Sequence, residues 1–324
     1  MNKYIKLILD PAFRFSVLAS YGLYNNMSDI KFLSRKYKYY FDKELNIQNP
    51  HTYNEKLQWL KLYNRKPEYT QMVDKYEAKK YVADIIGEQY IIPTLGVWDR
   101  FEDIDFDTLP NQFVLKCTHD SGGLVICRDK QTFDIVAARK KINKSLKRNY
   151  YWETREWPYK NVKPRIIAEE YINVSDDSIS LETATVSTST LQAKYGLLDY
   201  KFMCFDGEVK ALFLDIGVIG NNTGHAENYF RNIYDKEWKK MPFKETRDFY
   251  PKPINKPEYH DEMVILAERL SKGIPHLRVD LYHVNNRIYV GEFTFFHGSG
   301  LSNYFEPKEW DYIFGSWIKL PLNE

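Results

Sequence analysis

The stretch LRVDLYHVNNRIYVGEFTF (residues 277–295) constrains the fold most, because polar and apolar residues alternate on both sides of Asn285 and Asn286. Such alternation around a turn signal predicts two antiparallel β-strands joined as a hairpin. A two-residue turn at the asparagines would put Asp280 and Glu292 on opposite faces of the hairpin, whereas a three-residue loop would put them on the same face. Asparagine tolerates the left-handed conformation that the last position of a three-residue loop requires, so we expect the longer loop.

With this loop, each face of the hairpin has one character. The polar face would carry four side chains: Arg278, Asp280, Glu292 and Thr294. The opposite face would carry a core pattern: Leu277, Val279, Leu281 and Phe293. Two carboxylates and a threonine beside an arginine suit a hard cation such as Mg²⁺ that carries phosphates. A polar sheet face with a cross-strand Arg–Glu pair is the alternative.

A second strand, in QFVLKCTHDSGG (residues 112–123), ends in Lys116 and is followed by Ser121, Gly122 and Gly123. Backbone N–H groups in such glycine loops bind phosphates, and a lysine at the strand end would add a positive charge. The alternative is a lysine whose stem lies along the apolar surface while its ammonium group stays in water, before an ordinary turn.

Helices and strands follow one another without regular β-α-β alternation. Thr52 and Glu55 form a capping-box pattern at the start of one helix, and a second helix is predicted to end at Gly87. RIIAEEYI (residues 165–172) reads as a strand. This mixture predicts an α+β or mixed α/β fold with antiparallel sheets.

Charge and cysteine content exclude several classes of protein. The formal net charge of 324 residues is only +2, so we expect no nucleic-acid partner. Three cysteines without metal-ligand spacing favour a reduced, cytoplasmic protein, with the inner face of a membrane as an alternative location. The first residues, MNKYIKLILDPAFRF, contain an apolar run that is too short for a signal sequence. We therefore expect a packed or frayed helix here and at most a peripheral membrane contact.

Six stretches follow one another in an order that resembles the ATP-grasp superfamily. Their residues resemble most the teichuronopeptide-biosynthesis (TupA-like) branch of this superfamily, which is linked to bacterial surface polysaccharides. They run from about Asn49 to Gly300: NPHTYNEKLQWLKLY, DKYEAKKYV, FVLKCTHDSGG, RIIAEEYI, DYKFMCFDGE and VGEFTFFHGSG. The resemblance implies an α+β ATP-grasp fold, in which two α+β lobes clasp ATP. It implies a mostly helical N-terminal region (1–88), a small lobe with the glycine loop (89–170) and a large lobe with the metal-binding hairpin (171–324).

The resemblance also implies which residues bind ATP. The phosphates would contact three lysines, Lys75, Lys116 and Lys201, with Lys210 as the alternative to Lys201, and they would lie under the backbone of Ser121, Gly122 and Gly123. The hinge strand would bind the adenine edge through the backbone of Glu170, Tyr171 and Ile172. A carboxylate of this strand, Glu169 or Glu170, would take the ribose hydroxyls.

For the metal ions, the resemblance implies that Asp280 and Glu292 bind Mg²⁺, with Glu292 bridging two ions. Arg278 would stabilise charge on the transferring phosphoryl group. The superfamily pattern continues as Glu-x-Asn, whereas this chain has Thr294 at the third position, which makes a weaker neutral ligand.

The implied activity is that of an ATP-dependent carboxylate–amine ligase that acts through an acyl phosphate. We expect the carboxylate to belong to a hexuronic acid of a capsule-type glycan and the amine to be an amino acid or amino alcohol. Candidate substrate-binding residues are Arg155, Trp157, His297 and Ser299. A glycosyltransferase with a DxD motif in residues 103–107 and a sugar kinase remain the alternatives, and the sequence leaves the oligomeric state open.

Overall fold

The structure is a computed structural model that describes residues 3–174, 184–218 and 229–321. The helices in these ranges are α1 Lys3–Leu9, α2 Pro11–Ser20, α3 Asp29–Phe41, α4 Tyr53–Tyr63, α5 Glu68–Val73, α6 Ala78–Ile86, α7 Ile135–Leu146, α8 Tyr150–Thr154, α9 Thr188–Tyr195, α10 His260–Ser271 and α11 Glu309–Trp317. The strands are β1 Thr94–Trp98, β2 Phe113–Cys117, β3 Leu124–Cys127, β4 Ile166–Glu170, β5 Asp199–Phe205, β6 Glu208–Ile216, β7 Phe230–Tyr234, β8 Lys244–Glu245, β9 Leu277–Val284, β10 Arg287–Thr294 and β11 Phe305–Glu306. Helices combined with antiparallel sheets confirm the predicted α+β class.

A small antiparallel sheet has the strand order β1-β4-β2-β3. Side chains alternate between its two faces. One face carries Phe113, Leu115 and Cys117, which pack in a buried cluster with Ile142 of α7. The opposite face of β2 carries Lys116, so the strand has a covered apolar side and a polar side that stays open.

A large antiparallel sheet has the strand order β10-β9-β5-β6-β7. Its apolar face includes Phe202, Val279 and Leu281, which are fully buried in one core with Met263 and Leu266 of α10. Burial of such side chains stabilises the fold by about 1.5–3 kcal/mol each. The other face of the sheet carries the charged residues described below.

The N-terminal helices divide between two cores. Helix α4 begins at the predicted capping box, in which the Thr52 side chain accepts from the Glu55 N–H and Glu55 accepts from the Thr52 N–H. Helices α4 to α6 share the core of the large sheet, for example through Leu57 and Val82, whereas Phe15 and Phe32 of α2 and α3 belong to a separate small cluster. No described helix is long and apolar enough to span a lipid bilayer.

The loop of the final hairpin is shorter than predicted. Val284 pairs with Arg287, so the turn has two residues, Asn285 and Asn286, and both have positive φ. The three-residue loop was therefore wrong. The register shifts between residues 290 and 292, because Gly291 is an extra residue that forms a β-bulge.

Candidate active site

The bulge at Gly291 brings the acidic residues of the hairpin to one face. Beyond it, Glu292 lies opposite Asp280 and Thr294 lies opposite Arg278. The composition of the polar face is thus as predicted, although the physical cause is a bulge rather than a longer loop.

Lys201 extends this polar face onto the next strand. It is paired with Asp280 across β5 and β9, and its ammonium nitrogen lies 2.8 Å from the Asp280 Oδ2 atom. It also contacts the carboxylate of Asp199. Lys210, the alternative to Lys201, instead pairs with the half-exposed Glu208 on the far part of the sheet. The structure therefore places Lys201 and not Lys210 among the acidic residues.

Arg278 links the two carboxylates of the hairpin. Its Nε and Nη2 atoms donate to the two oxygens of Asp280 at 2.6 and 2.7 Å, and Nη2 also donates to Glu292 at 2.9 Å. Burial opposes the charge on Asp280, but Arg278 and Lys201 outweigh it and lower the pKa of this carboxyl group. Asp280 is 1% exposed, whereas the side chain of Glu292 is 41% exposed and faces the cleft.

A buried chain of charged groups supports Arg278 from behind. Its Nη1 atom donates to His297 Nδ1 at 3.0 Å, and His297 Nε2 lies 3.2 Å from Glu245. Because an arginine can only donate, His297 is protonated on Nε2 and donates to Glu245. Glu245 in turn contacts Arg231, which makes two hydrogen bonds to Asp215 at 2.6 and 2.7 Å. His297 thus contacts Arg278 and is 4% exposed, so the expected contact with substrate has no support.

On the small sheet, the adjacent residues Glu169 and Glu170 differ in their surroundings. Glu169 is 5% exposed and lies 2.6 Å from both Lys116 and Lys79, whereas Glu170 is exposed at the strand end. Burial raises the pKa of Glu169, but the two lysines outweigh this effect and the net shift is downward. Glu169 therefore faces the cleft as an anion held between two cations.

The glycine loop lies next to the early lysine. Lys75 donates from its ammonium group to the backbone carbonyl of Asp120 at 2.7 Å. Ser121 and Gly122 are exposed, and Gly122 has a φ of +105° that favours glycine. Gly123 is buried, and a Cβ atom there would lie 2.3 Å from the hydroxyl of Ser145. The loop thus needs one glycine for its conformation and another for close packing.

An open cleft of about 410 Å³ lies between the two sheets. It is lined by the small-sheet residues Lys116 and Glu169, by the hinge segment 170–174, and by Tyr282 of the large sheet. A smaller adjoining cavity is lined by Lys75, Lys79, Glu169 and Glu292. Burial raises the pKa of Tyr282, and carboxylates of both sheets add to the shift. The polar faces of the two sheets therefore meet in one site.

Three of the residues expected at the substrate are not placed in this cleft. Arg155 is fully buried and lies against the N-terminal helices, where its Nη2 atom donates to the Tyr24 carbonyl at 2.7 Å and its Nε atom lies 3.2 Å from Asp29. Ser299 accepts hydrogen bonds from buried Lys61 through both its carbonyl and its hydroxyl group. Trp157 begins a short 3₁₀ turn and is half-buried, and it is Tyr159 of this turn that lines the cavity with Glu292.

Sequence reasoning missed Lys79 and Tyr282. Lys79 is the second residue of α6, whereas Lys75 lies in the turn before this helix, so helical spacing does not account for their place in one cavity. Tyr282 follows Asp280 by two residues and so lies on the same face of the strand. The position of Tyr282 was therefore readable from the sequence once the face of β9 that carries Asp280 was known.

The donor set fits the two ligands that the resemblance implies. Mg²⁺ is usually held by one or two carboxylates together with phosphate oxygens, and Glu292, which lines the smaller cavity, lies opposite the buried carboxylate of Asp280. Within 3–174, 184–218 and 229–321, no group of three or more His, Cys, Asp or Glu side chains is arranged as a metal site, so phosphate would have to complete the coordination. For ATP, the cleft offers an apolar and backbone-rich end at the hinge and a cationic end at Lys116.

The chain is similar to several solved structures. One of them is D-alanine–D-alanine ligase from Bacillus anthracis complexed with ATP (15% identity, 69% of this chain and 53% of that chain, TM-score 0.36). Another is D-cycloserine synthetase DcsG (14% identity, 76% of this chain and 69% of that chain, TM-score 0.41). A third is the ATP-grasp ligase PsnB complexed with minimal precursor, Mg and ADP (14% identity, 80% of this chain and 60% of that chain, TM-score 0.35). The chain thus spans between about half and two thirds of the length of these proteins. No curated protein matches it.

A family model described as TupA-like ATPgrasp matches residues 55–319, which is most of the chain. The matched range contains both sheets, the glycine loop and the hairpin with Asp280 and Glu292. The protein belongs to the TupA-like ATP-grasp family.

Proposed function

We propose that this protein is an ATP-dependent ligase that joins a carboxylate to an amine through an acyl phosphate. The observation that carries the proposal is the cleft shared by the two sheets, in which Lys116 and Glu169 come from one sheet and Tyr282 from the other. The cationic and acidic residues Lys201, Arg278 and Glu292 lie on the same face of the large sheet as Tyr282. Membership of the ATP-grasp family supports the same reaction class.

The reaction has two steps. A carboxylate oxygen of the acceptor attacks the γ-phosphorus of ATP, the bond from this phosphorus to the bridging oxygen breaks, and ADP leaves. The amine nitrogen then attacks the acyl carbon, the bond from this carbon to the phosphate oxygen breaks, and phosphate leaves while the nitrogen loses a proton to water. Such phosphoryl transfer depends on positioning and charge neutralisation rather than on a protein nucleophile.

The residues on the polar faces of the two sheets and in the glycine loop divide this work. Lys116 and Lys201 offset the negative charge of the phosphates, and the exposed backbone of Ser121 and Gly122 covers them. Arg278 stabilises the phosphoryl group in transfer, and His297 holds Arg278 in place through its hydrogen bond. Asp280 and Glu292 would hold Mg²⁺, which when bound supplies further charge neutralisation at the phosphates.

Glu169 anchors two lysines, Lys116 of the small sheet and Lys79 of α6. Its carboxylate binds both Lys79 and Lys116, so these cations are already ordered at the cleft. Ordering charged groups before the reaction avoids a reorganisation cost during the chemical step. The hinge backbone from Glu170 to Ile172 would bind the adenine edge at the other end of the cleft.

The substrates are proposed from the family rather than from the cleft. The carboxylate would be that of a hexuronic acid in a surface polysaccharide or its precursor, and the amine that of an amino acid or amino alcohol. The acidic turn that would support a glycosyltransferase does not line the described cleft, because Asp103 is paired with Arg100 at the surface. This placement favours the ligase over the glycosyltransferase.

The test is ADP release from Mg-ATP with a panel of uronic acids and amines. Wild-type protein is compared with Glu292→Gln and with Glu237→Gln, a matched change at an exposed site outside the cleft. ADP release that needs both a carboxylate and an amine, and that falls by about 10²-fold or more in Glu292→Gln alone, is the expected result. ADP release with a hydroxyl acceptor and no amine would instead identify a kinase, and failure to bind ATP would refute the assignment.

A further inference from the structure

The N-terminal helices differ in charge from the rest of the chain. Residues 1–41 contain seven Lys or Arg and two Asp, which gives +5, whereas the whole chain carries +2 and residues 42–324 therefore carry −3. A positive end on an otherwise slightly negative protein orients the molecule toward an anionic surface. This end lies outside the cleft, so the inference does not depend on the proposed ligase activity.

Helix α1 presents an uncovered apolar face. Ile5, Ile8 and Leu9 are spaced so that they share one side of the helix, and they are 49%, 71% and 69% exposed. The helix is fixed to α2 from elsewhere, because Arg14 donates to the Ile8 carbonyl at 2.7 Å and the ammonium group of Lys6 lies 4.8 Å from the ring centroid of Phe13. The helix is thus packed on one side, while its apolar stripe stays exposed.

Helix α3 carries a basic stripe, defined here as Lys31, Arg35 and Lys38. The three side chains are exposed, and their spacing of four and three residues places them on one side of the helix. Together with Ile30 and Tyr39, they line an open groove of about 540 Å³, in which Lys38 forms an ion pair with Glu44 while Lys31 and Arg35 provide the remaining positive charge. Ile30 and Tyr39 are 38% and 41% exposed, so apolar surface accompanies the charges.

Both features belong to helices that pack on α2. The ring of Phe15 in α2 lies 5.6 Å from that of Tyr39 in α3, measured between centroids. The junction between α1 and α2, at Pro11, is four residues before Phe15, which is about 6 Å along a helix. Helix α2 therefore connects the end of α1 to the C-terminal part of α3, which carries the basic stripe.

We propose that the apolar face of α1 and the basic stripe of α3 together bind the surface of an anionic lipid bilayer. Apolar side chains such as Ile8 and Leu9 would enter the boundary between headgroups and acyl chains, while Lys31 and Arg35 would approach the anionic headgroups. A second copy of the chain fits this surface poorly, because a two-fold symmetric contact would bring two regions of charge +5 together.

The test is co-sedimentation of the full chain with vesicles of phosphatidylcholine alone or with added phosphatidylglycerol. We expect binding to the anionic vesicles only, weakening as salt rises from low to high concentration, since exposed charges are screened. Ile8→Gln/Leu9→Gln keeps the charge and should weaken binding by about tenfold or more. Lys31→Ala/Arg35→Ala should weaken it by roughly 25-fold, at about fivefold for each charge.

The matched control is Lys140→Ala/Lys144→Ala, which removes two exposed charges from α7. It should bind anionic vesicles as wild type does. Equal losses in this variant, or no binding of the wild type to anionic vesicles at low salt, would overturn the proposal. A dimer in light scattering that Ile8→Gln/Leu9→Gln converts to a monomer, without vesicle binding, would assign the surface to a second copy instead.

Discussion

Asp280 and Glu292 lie directly opposite each other on neighbouring strands, although the two-residue turn that joins the strands would by itself place them on opposite faces. The extra residue Gly291 removes this conflict. The bulge also increases the local twist of the strand and points Glu292 toward the cleft, where its side chain is 41% exposed.

Gly291→Ala should weaken ATP binding. A Cβ atom at this position would lie 2.8 Å from the ring of Tyr282, which lines the cleft, so the ring must move. Overpacking of this kind costs about 1–3 kcal/mol, which corresponds to a rise in Kd of about tenfold if the displaced ring enters the ATP site. Isothermal titration with ATP measures the change. The double variant Gly291→Ala/Tyr282→Leu removes the ring and should bind better than Gly291→Ala alone, and equal Kd values for wild type and Gly291→Ala would refute the steric argument.

The bulge also shows which features of the hairpin could be predicted from the sequence and which could not. Alternation grouped Arg278 with Asp280 and Glu292 with Thr294, each pair within its own strand, but whether the two pairs share a face depends on the register, which was predicted from the wrong loop length. It did not identify the turn, because one additional residue in a strand shifts the register beyond it by the same amount as one additional residue in the loop. The signal was Gly291 itself, because glycine inside a strand often marks a bulge.

Other positions depended on contacts that no local pattern encodes. Glu169 and Glu170 are adjacent, and only the pairing of β4 with β2 shows which one faces Lys116. Arg155 was expected at the substrate, but its guanidinium group lies 4.3 Å from the ring centroid of Phe32, a residue more than 120 positions away in the chain. Long-range packing of this kind cannot be derived from one sequence.

Lys201→Met and Lys210→Met should differ sharply. Lys201 is buried between Asp199 and Asp280, so its loss leaves buried carboxylates with one cation fewer. Breaking such a pair costs about 3–5 kcal/mol of unfolding free energy and should abolish ADP release. Lys210 pairs at the surface with Glu208, so its loss should change stability by less than about 1 kcal/mol. Chemical denaturation and ADP release measure both effects, and similar values for the two variants would contradict the assignment of Lys201 to the site.

His297→Leu should lower kcat more than it raises the Kd for ATP. The change removes the acceptor for Arg278 Nη1 and the donor to Glu245, so Arg278 loses the contact that orients it from behind. An unsatisfied buried partner costs about 1–3 kcal/mol, or roughly tenfold to a hundredfold in kcat. His297→Gln keeps one donor and one acceptor and should recover part of the loss. Equal effects on kcat and Kd, or no recovery with glutamine, would indicate a role in folding alone.

His276 should make the protein less stable as the pH falls below 6.5. The side chain is 1% exposed, its Nδ1–H donates to the Cys204 carbonyl at 2.9 Å, and its Nε2 accepts from the Tyr53 hydroxyl at 2.7 Å. Burial lowers the pKa of His276 to about 3, so the unfolded chain takes up a proton near pH 6.5 while the folded protein does not.

The stabilising contribution of neutral His276 is therefore complete above pH 6.5 and is lost progressively down to about pH 3. Each pH unit in this window is worth about 1.4 kcal/mol, so the unfolding free energy should fall by about 2 kcal/mol between pH 7 and pH 5 through this residue alone. His276→Asn is less stable at pH 7 because it leaves a cavity, but its deficit relative to wild type should shrink by that amount at pH 5. Urea denaturation at both pH values measures the deficit. His51→Asn, at an exposed position, should show the same difference from wild type at both, and a constant deficit for His276→Asn would show that His276 does not produce the acid sensitivity.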